Sequence, residues 1–160
     1  MVVQNGVGYD TYMNNIENGS ANSARKVIDV QKLLGLPDST PNPHLWYKPT
    51  TMPAVAKALS GDLSAIQPAH AAYFRANLAK FDQSLTPWYR ALKAFATRYP
   101  KAPVATTEPV GDYMLDAAGA VNLTPFGFQA DIMNGVDPAP QAVTIQDSLL
   151  SQRRVKVLLW

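Results

Sequence analysis

Two short stretches carry side chains placed to do chemistry. In Asn42-Pro43-His44-Leu45-Trp46, the proline fixes its own φ and biases Asn42 toward extended backbone, so His44 is presented from a defined turn beside a bulky indole. A neutral imidazole held this way suits a metal ligand, a general base or a capped structural group, and these five residues leave all three open. The second stretch is Thr106-Thr107-Glu108-Pro109, where an apolar run ends and a helix is expected to begin. A carboxylate there can face a cleft as a hard ligand. It can equally do no more than favour the positive end of the following helix, by about 0.3–1 kcal/mol. Imidazole nitrogen with carboxylate oxygen suits zinc, manganese or ferrous iron, and the pair offers no soft ligand to discriminate among them.

Other candidates are set aside by their surroundings. His70 falls in the first turn of a long helix, distant in sequence from an acidic partner, and reads as exposed or structural. Asp10, Asp112, Asp131 and Asp137 read as caps, turn residues and solvated charges. No G-x-S-x-G, H-E-x-x-H or P-loop occurs, so a hydrolase-like enzyme with His44 as base and Glu108 as its orienter is the alternative reading rather than the main one. The chain has no cysteine, which removes disulfides, thiolate zinc sites and cysteine nucleophiles together. Its formal charge of +2, from 14 basic and 12 acidic residues, forms no basic stripe, and nucleic acid is not expected as a partner. With 47% hydrophobic residues over 160 positions the chain should fold around a core. No apolar run approaches the roughly 18 residues needed to span a bilayer.

The elements that must position these stretches alternate. Residues 1–4 read as a strand ending at Asn5-Gly6, and residues 10–18 as a helix with Tyr12, Met13 and Ile16 at helical spacing. A short strand over 26–30 follows, then a proline-punctuated approach to His44 over 36–43, then a short helix over 53–59. Phe74, Leu78, Phe81, Leu85, Trp88, Leu92, Phe95 and Tyr99 recur at steps of four and three residues, an apolar seam that predicts one long helix over 67–99 and reads as core. Pro68 suits its start and Pro100 lies past its end, while Pro87 should kink it by removing the bond to the Gln83 carbonyl. Such a helix would run about 50 Å at roughly 1.5 Å per residue, against a diameter near 40 Å for a globule of about this length. It therefore reads as a spine shared by two lobes. Beyond it come a strand over 103–106, a helix over 110–118 ended by Gly119, a strand over 121–126, a helix over 141–151 and a strand over 155–160. The expected fold class is α/β: partial lobes over 1–64 and 101–160, with mostly parallel sheets, joined by a long backbone helix over 65–100. Binding is expected at the carboxyl edges of the strands.

The N-P-H-x-W motif, the spine, and Thr106-Thr107-Glu108-Pro109 before a helix containing Tyr113-Met114 together resemble the zinc and manganese receptors of ABC transporters, the cluster 9 or A-I solute-binding proteins. Residues 134–141, Asn-Gly-Val-Asp-Pro-Ala-Pro-Gln, are similar to the loop before that family's next helix, so the resemblance runs over essentially the whole chain. It implies that His44 and Glu108 are metal ligands, one from each lobe, that the cargo is a divalent metal (zinc or manganese), and that the chain is no enzyme. It also implies a membrane permease of an ABC transporter as partner and an extracytoplasmic location, in the periplasm or at the cell surface, although no export signal opens the chain. Family members use four protein ligands, with a histidine upstream of the stretch matched by Met1 and an acidic residue downstream of Trp160. The expectation is thus a chain truncated at both ends with half a site, binding metal weakly with water or a neighbouring molecule completing the shell. Bare strand edges in such lobes favour a homodimer or an exchanged oligomer. An inactive truncated fold is the remaining alternative.

Overall fold

Val2–Gln4 forms strand β1 and Val27–Asp29 forms β2, paired in parallel with Val3 opposite Ile28. A parallel pair needs a crossover, and helix α1, Tyr12–Gly19, supplies it. The turn that ends β1 is built for glycine: Gly6 has φ of +77°, and a Cβ there would lie 2.6 Å from the Cβ of Gln31. Asp10 closes the same turn as a turn residue should, accepting the Asn5 N–H at 2.6 Å and the Gly6 N–H at 3.0 Å. The computed structural model describes all of Met1–Trp160, and the chain divides into two compact units, Met1–Pro87 and Trp88–Trp160.

In the first unit, β2 runs directly into a four-residue helix, α2, Val30–Leu33, because the Asp29 carboxylate caps it by accepting the Lys32 N–H at 3.0 Å. Helix α3 spans Thr51–Ile66, well beyond the short helix expected over 53–59. The apolar spacing of Met52, Val55, Ala56, Leu59, Leu63 and Ile66 continues straight through Gly61, whose helix-interior penalty of about 1 kcal/mol is smaller than the gain from partly burying Val55, Ala56, Leu59 and Leu63.

The long helical stretch is built as a single 3-10 turn, Pro68–His70, followed by helices α4, Ala71–Ser84, and α5, Thr86–Arg98. The kink expected from Pro87 takes the form of a break at Leu85, whose N–H is shared between the carbonyls of Phe81 and Asp82 at 3.3 Å each. The seam is not core in the sense expected. No residue of α4 or α5 is fully buried, and Phe95 and Tyr99 are 39% and 46% exposed. In the first unit α4 packs on the single helix α3, which shields one flank of the stripe, and Phe74, Leu78 and Phe81 line an apolar groove of about 500 Å³ with Val55, Leu59 and Leu63 of α3.

The second unit holds a three-stranded parallel sheet in the order β4-β3-β5, with β3 at Pro103–Thr106, β4 at Val121–Asn122 and β5 at Val157–Leu159. Val104, Ala105 and Thr106 are all buried, the continuous pattern of a central parallel strand. After β3 a 3-10 turn, Pro109–Gly111, leads into helix α6, Asp112–Ala117, which ends at Gly119 with φ of +69°. The strand expected over 121–126 is only two residues long. Its ladder stops where the Thr106 N–H donates to the Thr124 hydroxyl at 2.9 Å, and Pro125 then starts helix α7, Phe126–Met133. Helix α8, Pro140–Ser151, completes the unit. The architecture is the expected α/β fold: parallel sheets and a long helical stretch interrupted at one residue.

Candidate functional site

His44 sits between α2 and α3, in the first unit, and is 7% exposed. Asn42 organises it twice over: the Asn42 Oδ1 accepts the His44 backbone N–H at 3.0 Å and lies 2.8 Å from His44 Nδ1. An amide oxygen can only accept, so this contact places a proton on Nδ1, and in the neutral form of the ring the lone pair is then on Nε2. That tautomer, fixed by a hydrogen bond to the other nitrogen, is the one a metal-ligating imidazole needs. The loop itself is anchored. Leu45 is completely buried in the 3-10 turn Leu45–Tyr47, and the Pro43 carbonyl accepts from Asn5 Nδ2 at 2.8 Å, which ties the motif to the end of β1.

Two aromatic rings set the orientation of the imidazole. Trp46 meets it edge to face at 5.3 Å between centroids, and Tyr9 does so at 6.2 Å while also stacking edge to face on Trp46 at 5.0 Å. Tyr9 escapes sequence reasoning because its partners lie more than thirty positions away and no local periodicity links them. Asn42 is thus the residue that orients the ring from the Nδ1 side. His70 is exposed at the entrance to α4 and touches only Phe74 among the rings, 6.5 Å between centroids.

Glu108 lies in the second unit, half-buried, with extended backbone (φ −133°, ψ 162°) between β3 and the 3-10 turn that precedes α6. Its side chain forms no capping bond to that turn. The carboxyl edge of β3 is therefore where the chain presents this carboxylate, consistent with the general placement of sites in parallel sheets. No three His, Asp or Glu side chains come together in a group that could hold a metal ion.

Behind Glu108 lies a polar network that sequence reasoning misses. Gln129 Nε2 donates to Thr106 Oγ1 at 2.7 Å and to the two Asp112 carboxylate oxygens at 2.9 and 3.1 Å. Asn122 Nδ2 makes the same pair of contacts, to Thr106 Oγ1 at 3.0 Å and to Asp112 Oδ1 at 2.9 Å. Gln146 Nε2 donates to the Thr106 carbonyl at 3.1 Å. Asp112, expected as a cap or solvated charge, is instead drawn inward, because two amide donors compensate its partly desolvated carboxylate. The Tyr113 phenol is held above its ordinary ionisation range, first by burial and then by the Asp112 and Asp116 carboxylates.

The whole chain, residues 1–160, matches the family model described as ZnuA, zinc-uptake complex component A, periplasmic. Among solved structures, the solute-binding protein FpvC of Pseudomonas aeruginosa in complex with Ni2+ aligns with a TM-score of 0.71 and 23% identity, over 98% of this chain and 58% of its own. The Cd-bound periplasmic metal binding protein from Candidatus Liberibacter asiaticus gives 0.72 and 19% over 98% and 59%, and a crystal structure of ZnuA gives 0.68 and 18% over 98% and 69%. At these identities the likeness is one of fold, and the chain spans about three fifths of the length of FpvC and of the Liberibacter protein. No curated protein sequence matches the chain.

Proposed function

Because the chain belongs to the family of periplasmic zinc-uptake component A, we propose that it serves as a divalent-metal-binding part of the solute-binding component of an ABC transporter, and that it is not an enzyme. The observation that supports this reading is the buried His44 ring held through Nδ1 by the Asn42 side-chain oxygen, the kind of second hydrogen bond that orients a metal-ligating imidazole. Glu108, at the carboxyl edge of β3, is the second proposed ligand. In this reading the cation is cargo, and its delivery requires a membrane permease on the outer side of the cytoplasmic membrane. No helix of this chain is long and apolar enough to cross a membrane.

Zinc or manganese is the metal. FpvC and the Liberibacter protein have been seen with Ni2+, Mn2+ and Cd2+, and an imidazole with a carboxylate can take divalent metals of this kind, with intrinsic affinity rising from manganese to nickel, so raw affinity does not select manganese. Two protein ligands make a weak site, since tight zinc binding generally needs three or four. Calorimetric titration of zinc and of manganese into the wild type and into His44→Ala tests the assignment. Weak binding near one equivalent in the wild type, abolished in the variant, is the expected outcome, and binding unchanged in the variant would sink it.

A further inference from the structure

We propose that Gln129 is a positioning residue for the Glu108 loop, a buried amide that sets cation affinity without touching the cation; the inference rests on the reading of Glu108 as a ligand. Residues 107–111 connect β3 to α6 and carry Glu108 as their second residue. Thr106 closes one end of that connection and Asp112 the other, and both are held by the same Gln129 Nε2, one N–H reaching Thr106 Oγ1 at 2.7 Å and the other the Asp112 carboxylate at 2.9 Å. A primary amide has two N–H groups in a fixed plane, so this pair of bonds fixes the separation of the loop's two ends.

The pinning is repeated independently. Asn122, on β4, bridges the same hydroxyl and the same carboxylate. Thr106 is further held through its N–H by Thr124 and through its carbonyl by Gln146, and the Thr107 N–H donates to the Leu159 carbonyl at 3.0 Å. Pro109 and Gly111 are buried on the far side of Glu108. Gln129 itself is 1% exposed. An amide at that depth gives up its hydration, and an apolar side chain of similar size would fill the space without that loss. What the amide supplies and an apolar residue cannot is a defined geometry at both ends of the loop, so that Glu108 is presented from a frame hydrogen-bonded on either side of it. A ligand presented from a rigid frame binds with less loss of conformational freedom than one on a mobile loop.

The test is a double-mutant cycle read by zinc titration, using Gln129→Met, which keeps length and volume but removes both bonds, and Glu108→Gln. Gln129→Met should weaken zinc binding about 10-fold, the lower end for residues that orient a ligand without ligating. In the Glu108→Gln background it should then have no further effect, because its action passes through Glu108. An equal loss in both backgrounds, or no loss in the first, overturns the proposal. Affinity unchanged by Glu108→Gln alone removes the ligand assignment itself and the proposal with it, so the two failures are distinguishable. Should Gln129→Met not fold by circular dichroism, Thr106→Val, which deletes the hydroxyl that both amides share, must give the same background-dependent loss.

Discussion

His44 shows how much a few adjacent residues can dictate. Asn-Pro fixes the turn, and the Asn42 side chain reaches only two residues along the chain to accept from both the backbone and the ring of His44. The Asn42 contact that places a proton on Nδ1 is local, which is why the motif is legible without a structure. Glu108 is legible as a carboxylate at a strand end, whereas its supporting network is not, since Gln129 bonds to residues 23 and 17 positions away. Tyr113 offers a test at this scale. Burial and the neighbouring carboxylates favour its neutral form in the fold, so the folded value lies above the unfolded one. The stability contributed is complete below the unfolded value and is lost as pH rises through the folded one. Urea unfolding at about pH 9 and about pH 11 should show the wild type losing more stability over that interval than Tyr113→Phe, which has no phenol to ionise. Equal losses would mean that the phenol is as easily ionised in the fold as in the unfolded chain.

At the scale of elements, legibility follows periodicity. The strand over 103–106 and the final helix need nothing beyond local pattern, and Gly119 ends α6 in the left-handed conformation that its position foretells. Helices α2 and α7 are hidden because their beginnings are set by an Asp29 cap and by Pro125 rather than by an apolar stripe. Helix α3 exceeds its expected length because Ser60-Gly61 resembles punctuation, yet the apolar spacing outweighs it. Gly61 therefore carries a prediction. It lies inside α3, and a methyl group added there would meet nothing within 4 Å, so Gly61→Ala should raise stability by about 0.5–1 kcal/mol through the lower entropy of the unfolded chain. Chemical denaturation decides it, and a destabilised variant would mean that α3 is frayed at that point.

At the scale of the whole molecule, the alternation of strands and helices predicts parallel sheets, and both sheets are parallel. The long seam is a less faithful guide. Four-and-three spacing announces which face of a helix is apolar, but not how many neighbours cover it, and here α4 and α5 retain half-exposed aromatics. The functional reading is likewise a property of the whole chain, with one candidate ligand in each unit and a family match that runs from Met1 to Trp160. Its central claim is that His44 takes a divalent cation through Nε2 while Asn42 keeps the proton on Nδ1. Nitrogen-15 NMR of histidine-labelled protein during zinc titration tests this most directly, with His70→Gln used to assign the two rings. The His44 Nε2 resonance should shift with added zinc while Nδ1 remains protonated and His70 does not respond. A zinc response confined to His70, or a His44 ring protonated on Nε2, would contradict it.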